Sequence, residues 1–197
     1  MKNSKQHTRI VLAILVLLCT NFLIAQTALN VVTTDSKVTW TGTKVIGYHQ
    51  GTVNVKEGKV MMKDNKLTGG YVVIDMTTIT CTDIPDTDPV PKKRLENHLK
   101  DADFFDVAKY PTAKFEIVDV RPHPNKAERY LVVGNLTIKG VSKRWKAEIS
   151  PSTQTDALFV AFADIRFDRQ QFGVAYKGLA DELVHDTVRL NIVIRAK

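Results

Sequence analysis

The chain has 197 residues, 44% of them apolar, with 28 basic and 21 acidic side chains, a formal charge of +7 and a pI near 9.4. No basic run interleaved with aromatics occurs, which argues against a nucleic-acid-binding surface. No low-complexity linker or internal repeat divides the sequence, and two cysteines are too few for a disulfide scaffold, so one hydrophobic core must supply the stability.

The chain opens with MKNSKQHTR, then IVLAILVLLC and further apolar character to Ala25, the basic start and apolar run of a secretory signal. That run is shorter than the roughly 20 residues a spanning helix needs, and Leu23-Ile24-Ala25 offers a cleavage point before Gln26. Residues 1–25 are expected to be removed, with an uncleaved anchor as the alternative, leaving a periplasmic or secreted domain over 28–197. Cys19 follows Leu18 where lipoprotein processing wants a small residue, so no lipid attachment is expected. Losing Lys2, Lys5 and Arg9 lowers the formal charge by three, from +7 to +4, which suits at most a transient contact with anionic membrane surfaces. Cys81 then remains as the single thiol.

From Lys37 onward the apolar residues alternate at period two. KVTWTGT places Val38, Trp40 and Gly42 on one face; GTVNVKEGKVMM alternates Val53 and Val55 before an expected turn at Glu57-Gly58. A hairpin is expected at Asp64-Asn65, followed by a strand whose inner face carries Leu67, Tyr71, Val73 and Asp75, with Gly69-Gly70 marking a bulge. The prolines of IPDTDPVP forbid regular structure up to Pro91, after which Leu95, Leu99 and Ala102 share one face of a helix, with His98 adjoining. AKFEIVDVR, RYLVVGNLTIKG, SKRWKAEI, ALFVAFADIRF and DTVRLNIVIRA read as further strands. About eight antiparallel strands, one helix and no βαβ alternation predict an all-β up-and-down barrel, or a sandwich, with the amphipathic helix over an opening. An eight-stranded barrel can be filled by its own side chains or hold one small ligand.

Four segments carry a family resemblance: HLKDADFFDVAKYPTAKFEI, VGNLTIKGVSKRW, FDRQQFGV and DTVRLNIVIRA resemble the signature segments of the YceI-like family, and WTGTKVIGYHQGTV resembles its N-terminal hairpin. The likeness runs in order from about Ser36 to Ala196. It implies a lipocalin-like barrel of exported bacterial proteins, with a hydrophobic tunnel for a polyisoprenoid or another long-chain amphiphile. Two features depart from the family: Gln171 stands where an acidic residue usually precedes the phenylalanine, and Cys81 to Pro91 is rich in Pro and Asp.

On that resemblance Leu95, His98, Leu99, Phe104 and Phe105 belong to the tunnel mouth, although a leucine and aromatic stripe also suits an ordinary filled core. Trp40, Phe115 and Phe172 are further candidates to contact the ligand, and Tyr48 could offer its hydroxyl to a polar head. Lys92, Lys93 and Arg94 crowd the helix start, where they either receive an anionic head group or are neutralised by Asp86 and Asp88. Asp83, Asp86 and Asp88 lack calcium-loop spacing and read as a polar loop. His49, His98, His123 and His185 show no metal-ligand spacing, so no metal site is expected.

DELVHD gathers Asp181, Glu182, His185 and Asp186, the residue types of acid–base chemistry, in what reads as a turn. No prepared nucleophile and no Gly-rich phosphate loop occurs. The function the resemblance implies is non-enzymatic binding of an isoprenoid, quinone or fatty-acid-like molecule by a monomer or homodimer, without a cofactor. An interaction module with a filled core is the alternative, and a small hydrolase or isomerase a further one.

Overall fold

The protein is described here by a computed structural model covering residues 26–178 and 183–197. Its strands, in chain order, are β1 (Thr27–Asn30), β2 (Lys37–Lys44), β3 (Tyr48–Lys63), β4 (Lys66–Cys81), β5 (Thr112–Pro122), β6 (Tyr130–Ile138), β7 (Val141–Gln154), β8 (Phe159–Asp168) and β9 (Val184–Ala196); helix α1 (Pro89–Lys100) lies between β4 and β5. Strands β2 to β9 form an antiparallel ring of eight, in which β4 to β9 follow chain order, β9 pairs with β2, and β3 joins β2 to β4. Of the barrel and the sandwich that the alternation allows, this is the barrel, as the family resemblance implies.

The ninth strand, β1, is an addition. β3 is 16 residues long, and β2 reaches only its stretch from Tyr48 to Val53. β1 pairs with Lys59 to Met62, and Asn30 and Lys197 exchange two backbone bonds of 3.0 Å, so the seam is sealed where β2 is absent. Four residues are too few for a period-two pattern to reveal, hence β1 had no sequence signature.

Three local expectations need correction. The chain does not turn at Glu57-Gly58; β3 continues through a bulge between Val55 and Glu57. Gly58 is there for close approach, because a Cβ would stand 2.7 Å from the Tyr71 carbonyl oxygen and 2.8 Å from the Val31 side chain. A bulge does occur beside Gly69-Gly70, where the register steps from Met62 opposite Leu67 to Met61 opposite Gly69. The extra residue shifts the faces, so Val72 and Ile74 join Leu67 in the core packing; of the positions expected inside, Tyr71 borders the cavity without packing in the core, and Val73 and Asp75 do neither. Finally, α1 begins at Pro89 rather than after Pro91. Both prolines fall in the first turn, where backbone N–H groups have no helical partner to lose.

The two ends of the barrel differ. At the hairpin end the Asp64-Asn65 turn is bonded to the β7–β8 turn by reciprocal contacts, Asn65 N–H to the Asp156 carboxylate at 3.0 Å and Asp156 N–H to the Asn65 side-chain oxygen at 2.9 Å. Met62, Leu67, Tyr130 and Phe159 are buried near this end. At the other end lie α1, the loop after it and a 3-10 turn at Arg169–Phe172. Lys139, in the β6–β7 turn, ties loop to turn by donating to the carbonyls of Ala102 (2.8 Å) and Gly173 (3.0 Å).

Candidate ligand cavity

The barrel is not filled. Along β9 the inward positions Val188, Leu190, Ile192 and Ile194 are only partly buried, as are Val72 and Ile74 on β4, although all six pack against the core. Inward side chains that keep accessible surface face empty space, and here they border a cavity of about 320 Å³. That is roughly twenty to thirty times the room one water needs, within the range of small-molecule sites, and its wall is predominantly apolar. It reaches from Leu67 and Phe159 near the hairpin end to His98, Phe104, Tyr176 and His185 at the helix end.

Seven of the nine sequence-nominated residues border this space: Trp40, Leu95, His98, Leu99, Phe104, Phe105 and Phe115. Leu95 and Leu99 present the apolar face of α1 to it, while Ala102 falls beyond the helix and is exposed. Phe104 and Phe105 are neighbours in sequence and would face opposite ways on a strand. They lie instead in a tight reversal, with Phe104 N–H bonded to the Asp101 carbonyl and Phe105 N–H to the Leu99 carbonyl, and both rings reach the cavity. His98 sits edge-on to Phe104 (5.2 Å between centroids) and to Tyr176 (4.4 Å), forming an aromatic lid.

Trp40 is fixed by an indole N–H donated to the Thr80 carbonyl at 3.1 Å. Phe115 lies across Gly134 on the adjacent strand, so closely that a Cβ there would be 2.5 Å from its ring. The two other nominations sit elsewhere. Tyr48 is 54% exposed on the outside, because its position at the start of β3 lies beyond the covered wall. Phe172 is fully buried but packs in the end plug against Phe167 (5.6 Å) and Trp145 (6.0 Å), not on the cavity wall.

Arg169 and Tyr176 border the mouth and were not nominated from sequence. Arg169 is 1% exposed and donates to the carbonyls of His185 (3.1 Å), Val174 (2.7 Å) and Val184 (3.1 Å) and to the Asp186 carboxylate (3.1 Å). It is a structural staple joining the 3-10 turn to β9, with its donors committed to the protein. Buried arginines are rare enough that no pattern rule would have picked it out. Tyr176 lies in an irregular segment without periodicity.

Among the described charged candidates, the basic helix start stays clear of the cavity, whereas His185 borders it. Lys92 pairs with Asp86 at 2.6 Å, and neither it nor Lys93 or Arg94 borders the space. Asp88 stands at the helix N-cap without a side-chain bond to it, so the three aspartates of the polar loop face different surroundings. In DELVHD, Asp181 and Glu182 lie outside the described residues. Of the remainder, His185 meets the Thr43 hydroxyl at 2.9 Å, and Asp186 accepts from Arg169 and Gln170. Gln171, the departure from the family pattern, donates to Asp168 of its own turn, at 3.5 Å.

One polar cluster joins three residues that the sequence reading considered separately. Pairing of Gly51 with Cys81 sets His49 across from Asp83, and their side chains meet at 2.8 Å. The Cys81 thiol donates to the other Asp83 oxygen at 3.0 Å, as does the Gln50 N–H at 2.8 Å. Burial pushes the Asp83 carboxyl up, but these bonds from Cys81, Gln50 and His49 outweigh it and hold the group below its usual range. Burial, followed by the Asp83 hydrogen bond, pushes the Cys81 thiol up.

The family model of the YceI-like domain matches residues 29–196. The chain belongs to the YceI-like family. Among curated relatives of this YceI-like chain are UPF0312 proteins of Photorhabdus laumondii (42% identical) and Serratia proteamaculans (46%), each over 48 residues. Those alignments span 24% of this chain and 23% of each relative. Among solved structures, Burkholderia cenocepacia BcnA superposes with a TM-score of 0.64 at 20% identity, covering 83% of this chain and 98% of that one. A polyisoprenoid binding domain from Saccharophagus degradans gives 0.63 at 14% identity, covering 87% and 98%. At these identities the structural matches establish the shared barrel.

Proposed function

We propose that this YceI-like domain binds, non-enzymatically and outside the cytoplasm, one long-chain amphiphile of the isoprenoid, quinone or fatty-acid type, with its tail in the barrel. The observation that carries this reading is the ring of half-covered aliphatic side chains around the cavity. Each methylene withdrawn from water into such a space contributes about 0.8 kcal/mol, so a tail of ten carbons has on the order of 8 kcal/mol to offset the cost of immobilisation. The aromatic lid of His98, Phe104 and Tyr176 sits where the tail would emerge. The Saccharophagus neighbour is a polyisoprenoid binding domain, which supports the ligand class, and the basic-then-apolar N-terminal segment supports export.

The test is native mass spectrometry of the protein purified from a bacterial periplasm, with organic extraction of whatever leaves it. One apolar long-chain molecule per chain is expected. A ligand-free mass, together with refusal of added polyprenols and long-chain quinones, would overturn the reading.

A further inference from the structure

The geometry points to a mononuclear transition-metal site, of the kind that takes Zn²⁺ or Co²⁺, formed by His49, Cys81 and Asp83 beside the barrel mouth. Its argument is independent of the ligand in the tunnel. An imidazole nitrogen, the Cys81 sulfur and an Asp83 oxygen all lie within 4.8 Å of one another. Bond lengths of about 2.0–2.3 Å place the ligand atoms of a tetrahedral zinc roughly 3.3–3.6 Å apart. The observed contacts of 2.8 Å and 3.0 Å on Asp83 would open slightly, and the wider spacing would close, by side-chain rotation alone.

The cluster is built by the sheet rather than gathered by chance on a surface. Cys81 and Asp83 are two apart and project on one side of the chain, and the β3–β4 register brings His49 across to them. Cys81 is fully buried, and the side chains of His49 and Asp83 are 31% and 17% exposed, so a bound ion would be shielded on the protein side and reachable from the other. Further groups hold the ligands in place: the Gln50 N–H on Asp83, and the Glu96 carboxylate, which accepts the Cys81 N–H at 2.9 Å.

The donor set decides the metal class. A thiolate and an imidazole select against Ca²⁺ and Mg²⁺, which take oxygen ligands, and together with one carboxylate they suit Zn²⁺. Binding would expel the thiol proton and leave the imidazole N–H on Nε2, with the metal on the nitrogen now facing Asp83. Three protein ligands leave a fourth position for water, the arrangement of an open zinc site.

The experiment titrates the purified protein with Co²⁺, followed by absorption, and then with Zn²⁺, followed by native mass spectrometry. One metal per chain is expected, with a thiolate-to-cobalt charge-transfer band that Zn²⁺ abolishes. Cys81→Ser should remove the band. His49→Gln, at a partly exposed position that leaves the core untouched, should weaken binding at least about tenfold. Absence of the band from the unaltered protein, or metal binding that His49→Gln leaves unchanged, would overturn the assignment.

Discussion

Ala163→Leu distinguishes a hollow barrel from a filled one by the sign of its effect. Ala163 lies on the inner face of β8, between Ala161 and Ile165 in the alternation, and borders the cavity opposite Ile149 and Ile192. Leucine adds three carbons there. In empty apolar space they contribute up to about 2.4 kcal/mol, less about 0.5–1 kcal/mol of side-chain entropy. The net of about 1.5 kcal/mol would raise Tm by roughly 3–6 °C for a domain of this size. In a filled core the same change would cost about 1–3 kcal/mol and lower Tm instead.

The ligand should report the opposite sign. Three displaced methylenes would cost it about 2.4 kcal/mol, or roughly fifty-fold in Kd. Thermal melting of ligand-stripped protein and displacement of a fluorescent long-chain probe measure the two effects. A lower Tm with unchanged probe affinity would refute both the cavity and its use.

Other consequences follow from particular contacts. Arg169→Met takes the guanidinium from three carbonyls and leaves the Asp186 carboxylate with Gln170 alone, and should cost about 3–5 kcal/mol; a loss below about 1 kcal/mol in denaturant unfolding would show that the staple carries little. Gly134→Ala must displace the Phe115 ring, so a double-mutant cycle with Phe115→Leu should show a coupling of at least about 0.5 kcal/mol, whereas additive losses would place the ring elsewhere. Glu148 accepts from Arg129 and Lys126, which hold its carboxyl down at about 2. Because that value is depressed, whatever stability the cluster contributes is present above the ordinary carboxylate range and lost as pH falls through about 2. A carboxyl NMR titration should find this midpoint, and Arg129→Gln should raise it; a midpoint near 4.5 in the unaltered protein would contradict the pairing.

Much of the architecture was legible because it rests on local physics. Period-two alternation marks the eight ring strands, the Asp64-Asn65 pair marks a hairpin whose two residues both take positive φ, and the 95/99 spacing marks the helix face. Most of the cavity wall followed, since a residue's face is set by its place in the alternation: Phe115 points inward beside Ala113 and Ile117 as that rule requires. The rule also failed in an orderly way. One extra residue before Gly69-Gly70 shifted the faces of β4, and the glycines could announce the bulge without saying how many residues it contained.

What tertiary structure alone decided are the features made by distant segments meeting. Whether the barrel is filled depends on its diameter and on every inward side chain together, and no single stretch encodes a void. Phe172 reads as another inward aromatic, yet it packs in the end plug with Trp145, 27 positions earlier in the chain. Arg169 is buried because carbonyls from Val174, Val184 and His185 happen to surround it. His49 and Asp83 are 34 residues apart, and only the pairing of Gly51 with Cys81 makes them neighbours. Sequence determines which face each strand hides; the closing of the sheet determines which hidden faces meet one another, because strand pairing joins residues by register rather than by distance along the chain.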